Sequence, residues 1–485
     1  MKKVIIQEDL KEIIRDIDVS DANYEKAEKR YKSIANYIKE SNMGISKPDI
    51  YLQGSFKLGT AIKPITKTGS YDIDIVSNFT KLKRSDQSQF SLKYDLGLVI
   101  KDYIKSNNMS NPAKESKRCW TINYVDEDEF HIDILPSVPL NEKDDGFISI
   151  TDKDNINYLE TSENWETSNP KGYANWFKEH SNFNEYKLLE AKRFYSNIEK
   201  VPDYKVRTPL QKIVQIFKRH AEIMFEKNVK YKPSSIIITT LATKQYKEAS
   251  LFHDNLMDIM TYIALNIEKG IDSQNGNPCI YNPVNSDEIL SEKWDKDDKY
   301  FREFQKWIFQ LKADLNTDNQ YYSEIKRISY LKRSLFKTNE KEFLVIKLDD
   351  IAHHKKIRWP IINNEEVKII AQYQYKGFRY KTIKSGTALN KNGNLKFEVN
   401  TNNLRKYEIY WQVTNTGREA KNANCLRGNF YNSEIIKGKR IRRESTYYIG
   451  HHYIEAFLVK NDICYGKSAP FEVNIISGFT VDLWR

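Results

Sequence analysis

Between about Glu340 and Pro360 the chain changes the period of its apolar residues, and that change divides it into regions of different fold class. Upstream, from about Tyr173 to Phe336, helical spacing dominates. The clearest helix starts at Thr208-Pro209, a cap residue followed by proline at the first helical position, and carries Leu210, Ile213, Val214 and Phe217 on one face. Asp298 to Leu311 and Tyr321 to Phe336 predict two more helices. Downstream, Val367–Tyr375, Lys396–Asn400, Tyr407–Thr414, His452–Val459 and Phe471–Ile476 are short, β-rich and separated by Gly/Asn clusters. That spacing predicts an all-β sandwich. At the start, Leu10, Ile13, Ile14 and Ile17, then Tyr31, Ile34 and Ile38, predict one long or broken helix over Glu8–Lys39. Strand-like alternation follows in Tyr71–Val76, Thr121–Tyr124 and Phe130–Leu135.

Charge follows the same division. The 485 residues hold 77 Lys and Arg against 66 Asp and Glu, a net +11. From Ile351 onward there are 23 basic and 11 acidic residues, a balance of +12, which leaves −1 for the first 350. The basic excess therefore belongs to the β-rich part, either as a surface that meets an anion or as a solubilising one. No apolar run reaches the ~18 residues of a membrane span. The start, Met1-Lys2-Lys3 running to Glu8, turns acidic too soon for a signal peptide. Cys119, Cys279, Cys425 and Cys464 are scattered, which indicates neither a zinc site nor a disulfide framework and fits a cytoplasmic location.

Three carboxylates carry the chemistry. Asp72 and Asp74 lie two apart in a strand, so both project from one face while Ile73 and Ile75 take the other. Asp133 sits in a second strand of the same texture. Clustered carboxylates repel one another unless cations neutralise them, and hard oxygen ligands suit Mg²⁺ or Mn²⁺. Two such ions ~3.5–4 Å apart would activate an attacking hydroxyl and stabilise a leaving pyrophosphate. Seventeen residues ahead of Asp72, Gly54-Ser55 offers close backbone approach and a hydroxyl at a turn that opens a helix, an arrangement that cradles phosphates.

Gly54-Ser55, Asp72-Ile73-Asp74 and His131-Ile132-Asp133 resemble the nucleotidyltransferases of the polymerase β superfamily. More closely, they are similar to the bacterial cGAS/DncV-like nucleotidyltransferases of anti-phage signalling, relatives of oligoadenylate synthase. Ser168-Asn169-Pro170-Lys171-Gly172-Tyr173, Phe217-Lys218-Arg219-His220, Lys232-Pro233-Ser234-Ser235 and Asn282-Pro283-Val284 with Trp294 extend the likeness over about Gly54–Trp294. The resemblance implies that Asp72 and Asp74 bind both metals and that Asp133 completes the site and helps deprotonate the acceptor hydroxyl. It implies that Gly54 and Ser55 hold the donor triphosphate, with Lys218 on its terminal phosphates and Ser235 or Ser234 beside them. By the residues alone, Lys218 borders a packed helix face from which it reaches a cleft, or is a solvated lysine.

Cys425-Leu426-Arg427-Gly428-Asn429-Phe430, Arg443 through His452, Asp462-Ile463-Cys464 and Ser468 through Val473 resemble the adenylyl/guanylyl cyclase and SMODS C-terminal sensor domain. Arg427, Lys437, Lys439, Arg440, Arg442, Arg443, His451 and Trp411 form a candidate anion- or base-binding set, although Lys437–Arg440 also reads as a solvated hairpin tip. The pairs His353-His354 and His451-His452 are poor chelates, because neighbours in a strand point to opposite faces.

The expectation is thus an α+β chain. It has a polymerase-β-like nucleotidyltransferase core with a mixed sheet (1–205), a helical lobe completing the NTP cleft (206–345), a linker (346–357) and an all-β Ig-like or sandwich domain (358–485). The expected function is metal-dependent synthesis of a cyclic or short linear oligonucleotide second messenger from NTPs, using two Mg²⁺ or Mn²⁺ ions. The product would pass to a downstream effector, and the basic domain would sense an unidentified anionic ligand. Nucleotidyl transfer to tRNA or protein, and a silent nucleotide receptor, are the alternatives.

Overall fold

The computed structural model describes residues 6, 8–41, 47–65, 69–124, 130–141, 146–193, 203–315, 331–332, 334–335, 351–362, 364–401, 406–436 and 439–476. The chain divides into two compact units, Met1–Phe301 and Arg302–Arg485.

The N-terminal helix of the first unit is a broken one, α1 (Glu8–Ile17) and α2 (Asp21–Glu40). Ser20 makes the break: its hydroxyl accepts the Asn23 N–H at 3.2 Å and satisfies a donor at the start of α2 that has no partner inside the helix. There follow β1 (Asp49–Gln53), the short helix α3 (Gly54–Leu58), β2 (Tyr71–Asn78), α4 (Gln89–Ser106) and β3 (Lys114–Glu115). Next come β4 (Trp120–Tyr124), β5 (Phe130–Pro139), β6 (Ile148–Ile150) and β7 (Glu166–Ser168). Among the described residues these strands make one mixed sheet in the order β1-β2-β5-β4-β3, extended from β5 by β6 and β7. Strands β2 and β5 run parallel, flanked by antiparallel β1 and β4.

One face of this sheet is apolar. Ile73, Ile75, Ile122, Ile132 and Ile134 share a buried cluster with Ile34 and Ile38 of α2 and Leu92, Leu96 and Ile100 of α4. Each such side chain gains roughly 1.5–3 kcal/mol from burial, which fixes the register, since a one-residue slip would turn all of them outward. Strand alternation then sends residues 72, 74 and 133 to the opposite face.

The helices α5 (Pro170–His180), α6 (Phe183–Arg193), α7 (Pro209–Met224), α8 (Ser235–Phe252) and α9 (Leu256–Asn266) follow. Two hairpins come next, β8 (Asp272–Gln274) with β9 (Asn277–Cys279) and β10 (Tyr281–Asn282) with β11 (Asn285–Ile289), then α10 (Lys293–Lys296) and α11 (Lys299–Leu315). Helix α7 starts as expected. Thr208 caps it, Pro209 opens it, and Gln211 closes a capping box by accepting the Thr208 N–H at 2.7 Å. In the second unit, Phe309 and Ala313 of α11 pack with Ala388 and Ile476. The helix expected over 321–336 lies almost wholly outside the described residues, as does all of 340–350.

The rest of the second unit is the sandwich. Its strands are β12 (Lys368–Gln374), β13 (Lys381–Ile383), β14 (Ala388–Asn390), β15 (Asn394–Asn400), β16 (Glu408–Thr414) and β17 (Phe430–Asn432). They continue with β18 (Glu434–Ile436), β19 (Lys439–Ser445), β20 (Gly450–Lys460), β21 (Ile463–Lys467) and β22 (Phe471–Ile476). One sheet runs β13-β12-β15-β19-β18, the other β14-β22-β20-β16-β17 with β21 on β20. Leu395 and Phe397 from the first meet Trp411, Ile454 and Val473 from the second in one buried cluster.

Two members of the predicted anion-binding set are corrected here. Trp411 is fully buried, its ring part of this cluster and its indole N–H donated to Ser433 Oγ at 2.8 Å, so it has no face for a base. His451 is 2% exposed and its Nδ1 lies 2.5 Å from Glu472 Oε1, so it serves the interior. Lys437 lies outside the described residues.

Candidate active site

The polar face of the first sheet is organised as two cross-strand rows. In the first, β-pairing sets Gln53 opposite Asp74, Asp74 opposite Asp133, and Asp133 opposite Thr121. In the second, one pleat away, Asp72 stands opposite His131. The two rows are about 6.6 Å apart along the strand. Thr121 donates its hydroxyl to Asp133 Oδ1 at 2.5 Å, which holds that carboxylate in one orientation. His131 Nδ1 lies 3.2 Å from Ser70 Oγ and 3.6 Å from Asp72 Oδ1. The three aspartates expected to act together are therefore brought together.

At the end of β1 the chain turns into α3 through Gly54, whose φ is +63°. A Cβ there would stand 2.1 Å from Asp74 Oδ2 and 2.8 Å from its Cγ. Only glycine adopts this backbone freely, and only glycine leaves room for the carboxylate. Ser55 follows, half-buried, in the first turn of α3. Gly59, φ +65°, ends that helix in the left-handed region.

Helix α7 clamps the segment that carries this turn. Gln211 Nε2 donates to the Leu58 carbonyl at 2.8 Å and Gln215 Nε2 to that of Ala61 at 2.8 Å. Lys218 Nζ donates to the Thr60 carbonyl at 2.9 Å, and Arg219 reaches the carbonyl of Lys63. All four side chains are buried. Spaced at 0, 4, 7 and 8 along a helix, they form one polar stripe beside the apolar one. Lys218 is thus 6% exposed and tethered to the backbone at Thr60, five residues after Ser55. Ser234 caps α8 and Ser235 opens it, both exposed.

The charge of the aspartate strip is only partly compensated. Burial pushes the Asp74 carboxyl up to about 7, Asp133 and Asp72 add to it, and Lys218 pulls the other way. Asp72 is raised too, by desolvation and by Asp133, against His131 and Lys232; its side chain is 73% exposed, so water screens much of that effect. Burial lowers Lys218 to about 8, and Asp74 holds it up. Among the described residues no group of three His, Cys, Asp or Glu stands ready-made as a metal cluster. The donor chemistry nevertheless fits a divalent cation, with oxygen-only carboxylates of one sign crowded until one of them resists ionising.

Two further residues belong to this neighbourhood. Lys232 acts electrostatically on Asp72, Lys218 and Glu222, and Glu222 of α7 is half-buried and held above the usual carboxylate range by desolvation. Lys232 was visible in the sequence only as part of a motif, and Glu222 carried no signal. In the second unit every ring of the two histidine pairs is engaged. His353 pairs with the Asn415 carbonyl, His354 with Thr414, His451 with Glu472, and His452 with Thr416 N and the Tyr448 carbonyl.

Comparison with known proteins gives two domain matches. Residues 4–181 match the Second Messenger Oligonucleotide or Dinucleotide Synthetase (SMODS) domain, and residues 349–476 match the Adenylyl/Guanylyl and SMODS C-terminal sensor domain. A c-di-GMP synthase of Roseivirga ehrenbergii is 27% identical over 311 residues, 64% of this chain and 78% of that protein. A cyclic GMP-AMP synthase of Escherichia albertii is 24% identical over 422 residues, 86% of this chain and 82% of that one. The solved structure of the Bradyrhizobium diazoefficiens CD-NTase CdnG in complex with GTP shares the fold. Its TM-score is 0.51 at 18% identity, covering 67% of this chain and 96% of that one.

Proposed function

We propose that this chain is a nucleotidyltransferase of the CD-NTase type with a C-terminal AGS-C domain, and that it synthesises a cyclic or short linear oligonucleotide second messenger from NTPs. The observation that carries this reading is the strip Asp72, Asp74 and Asp133 on paired strands, with Gly54 packed against the Asp74 carboxylate. In each step the acceptor 3′-oxygen bonds to the α-phosphorus of the donor, the bond from that phosphorus to pyrophosphate breaks, and the hydroxyl proton leaves. Asp133, oriented by Thr121, would take that proton. Gly54 and Ser55 lie where a triphosphate would meet a turn, and Lys218, Lys232, Ser234 and Ser235 would supply charge and hydrogen bonds around it. Two divalent cations held by Asp72, Asp74 and Asp133 would supply positive charge to the α-phosphate and the acceptor oxygen.

The relatives' activities support a cyclic product. We place the protein in anti-phage signalling in the cytoplasm, with the product passed to an effector and the second unit sensing a ligand. Four free cysteines agree with a reducing compartment, and among the described residues no helix is long and apolar enough to cross a membrane. The test is incubation of the full chain with labelled NTPs and Mg²⁺ or Mn²⁺. Label in a small phosphatase-resistant product is expected. Label on tRNA or protein would replace this reading with macromolecular transfer, and no incorporation would leave a nucleotide receptor.

A further inference from the structure

Strand β19 breaks the rule by which a sandwich hides only apolar side chains. Directly opposed residues of antiparallel strands share a face. Arg442 pairs with Phe397 and Glu444 with Leu395, and both partners are core residues. An arginine and a glutamate therefore occupy the inner face. Arg442 binds Glu444 at 2.5 Å and stacks on Tyr431 with its guanidinium carbon 4.3 Å from the ring centroid, while Arg427 binds the same Glu444 at 2.6 Å. Arg442 and Glu444 are 15% and 11% exposed. Burying such a set costs several kcal/mol against an apolar alternative, so stability does not account for it.

The charged set borders a cavity of about 600 Å³ between the two sheets. Its wall is apolar, with Phe397, Val413, Ile454 and Ile475, and its mouth carries Arg443, Tyr447 and Tyr448. Tyr447 is 59% exposed and Arg443's side chain 57%. His452 lines the cavity but serves the frame. Its Nδ1 accepts the Thr416 N–H, which leaves Nε2 to donate to the Tyr448 carbonyl and fixes the loop that bears the tyrosines. Arg443, at the rim, pairs with Glu434 at 3.9 Å, so Arg427 and Arg442 against Glu444 leave an excess of one positive charge. A size of several hundred Å³ with an apolar wall and a few convergent polar groups is that of a small-ligand site.

We propose that this inter-sheet cavity binds a nucleotide, with the base against the apolar wall and tyrosines and the phosphate on the arginine forks. Arginine forks match phosphate oxygens, and aromatic faces stack on any base. Glu444, fixed between two arginines, is a carboxylate acceptor beside the cavity for a base's N–H edge and disfavours a simple carboxylate or fatty acid. The source is either the substrate pool or the product, and both share this chemistry. The assignment deepens the sensing role proposed above and rests on it. Binding is measured apart from synthesis, so lost regulation with retained binding would count against that role and not against this site.

The experiment is equilibrium dialysis of the full chain with labelled GMP and AMP in EDTA. The variants are Arg442→Lys, which keeps a cation beside Glu444 so that the fold is retained, and Tyr447→Ala, which removes an exposed ring. Expected are one nucleotide per chain, affinity weakened about tenfold or more in both variants, and unchanged binding in Asp72→Asn/Asp74→Asn. Inorganic phosphate and guanosine should each compete far less well than GMP. Competition by GTP or by cyclic di-GMP then separates substrate from product as the source. No saturable binding up to about 1 mM overturns the proposal. So does loss in the aspartate variant with retention in the cavity variants, or phosphate competing as well as GMP.

Discussion

Both units set charged side chains on a sheet face, and they balance them in opposite ways. In the first, Asp72, Asp74 and Asp133 share one sign, and their repulsion helps drive Asp74 to about 7. In the second, Glu444 sits between Arg427 and Arg442, so the set is satisfied within the fold. A like-charged site is incomplete until a cation arrives, whereas a self-paired one can persist empty and present its surplus charge to a ligand. The first arrangement suits catalysis that must be assembled with its substrate, the second a receptor that must be folded before its ligand appears.

The largest way to break the comparison is Asp74→Asn. Synthesis should fall about 10³-fold or more, while the metal-free protein should melt higher because a repelling charge is gone. Synthesis near the wild-type rate, or a lower melting temperature without metal, would mean that the strip is not a repulsive cation site. Next is Gly54→Ala, which places a Cβ into the Asp74 carboxylate at a positive φ. Synthesis should drop about 10²-fold, with at most about 1–2 kcal/mol lost in urea unfolding. An unchanged rate would show that the carboxylate position is not critical.

Two smaller effects sharpen the second half. Arg442→Leu should cost about 3 kcal/mol by leaving Glu444 half-paired, whereas Arg442→Leu/Glu444→Leu should recover most of it. Additive losses would show that the pair is not coupled. His452 carries a pH dependence of about 3 kcal/mol. Burial first, then His451 and Arg427, lower it from 6.5 to about 4, against the pulls of Glu444 and of the Tyr448 carbonyl. The unfolded chain takes up this proton near pH 6.5 and the folded one only near 4, so stability is full above 6.5 and is lost as pH falls towards 4. His452→Gln should flatten that slope between the two pH values, read from urea midpoints. An equal slope would assign the effect elsewhere.

Much of this architecture was legible in the sequence, for identifiable reasons. Asp72-Ile73-Asp74 and His131-Ile132-Asp133 alternate cleanly because one face packs on α2 and α4, so strand and face followed from period two, while the parallel pairing of β2 with β5 did not. Five of the tail strands, β12, β15, β16, β20 and β22, followed from their turns. The polar stripe of α7 was not legible. Gln211, Gln215, Lys218 and Arg219 look like a solvated face, and only the carbonyls of residues 58–63, remote in sequence, make them buried. Strand β19 was not legible either: Arg440-Ile441-Arg442-Arg443-Glu444 carries one aliphatic, Ile441, which is buried, yet pairing with β15 also sets Arg442 beside Phe397. Trp411 and His451 looked available for a ligand because composition carries no record of burial.

The central claim, that the aspartate strip is completed by a divalent cation together with a triphosphate, is most directly tested by thermal melting of the full chain with a non-hydrolysable NTP, with and without Mg²⁺. Wild type should gain several degrees only when both are present, and Asp72→Asn/Asp74→Asn should gain little from the pair. An equal gain in the double variant, or a full gain in wild type without any divalent ion, would contradict the account.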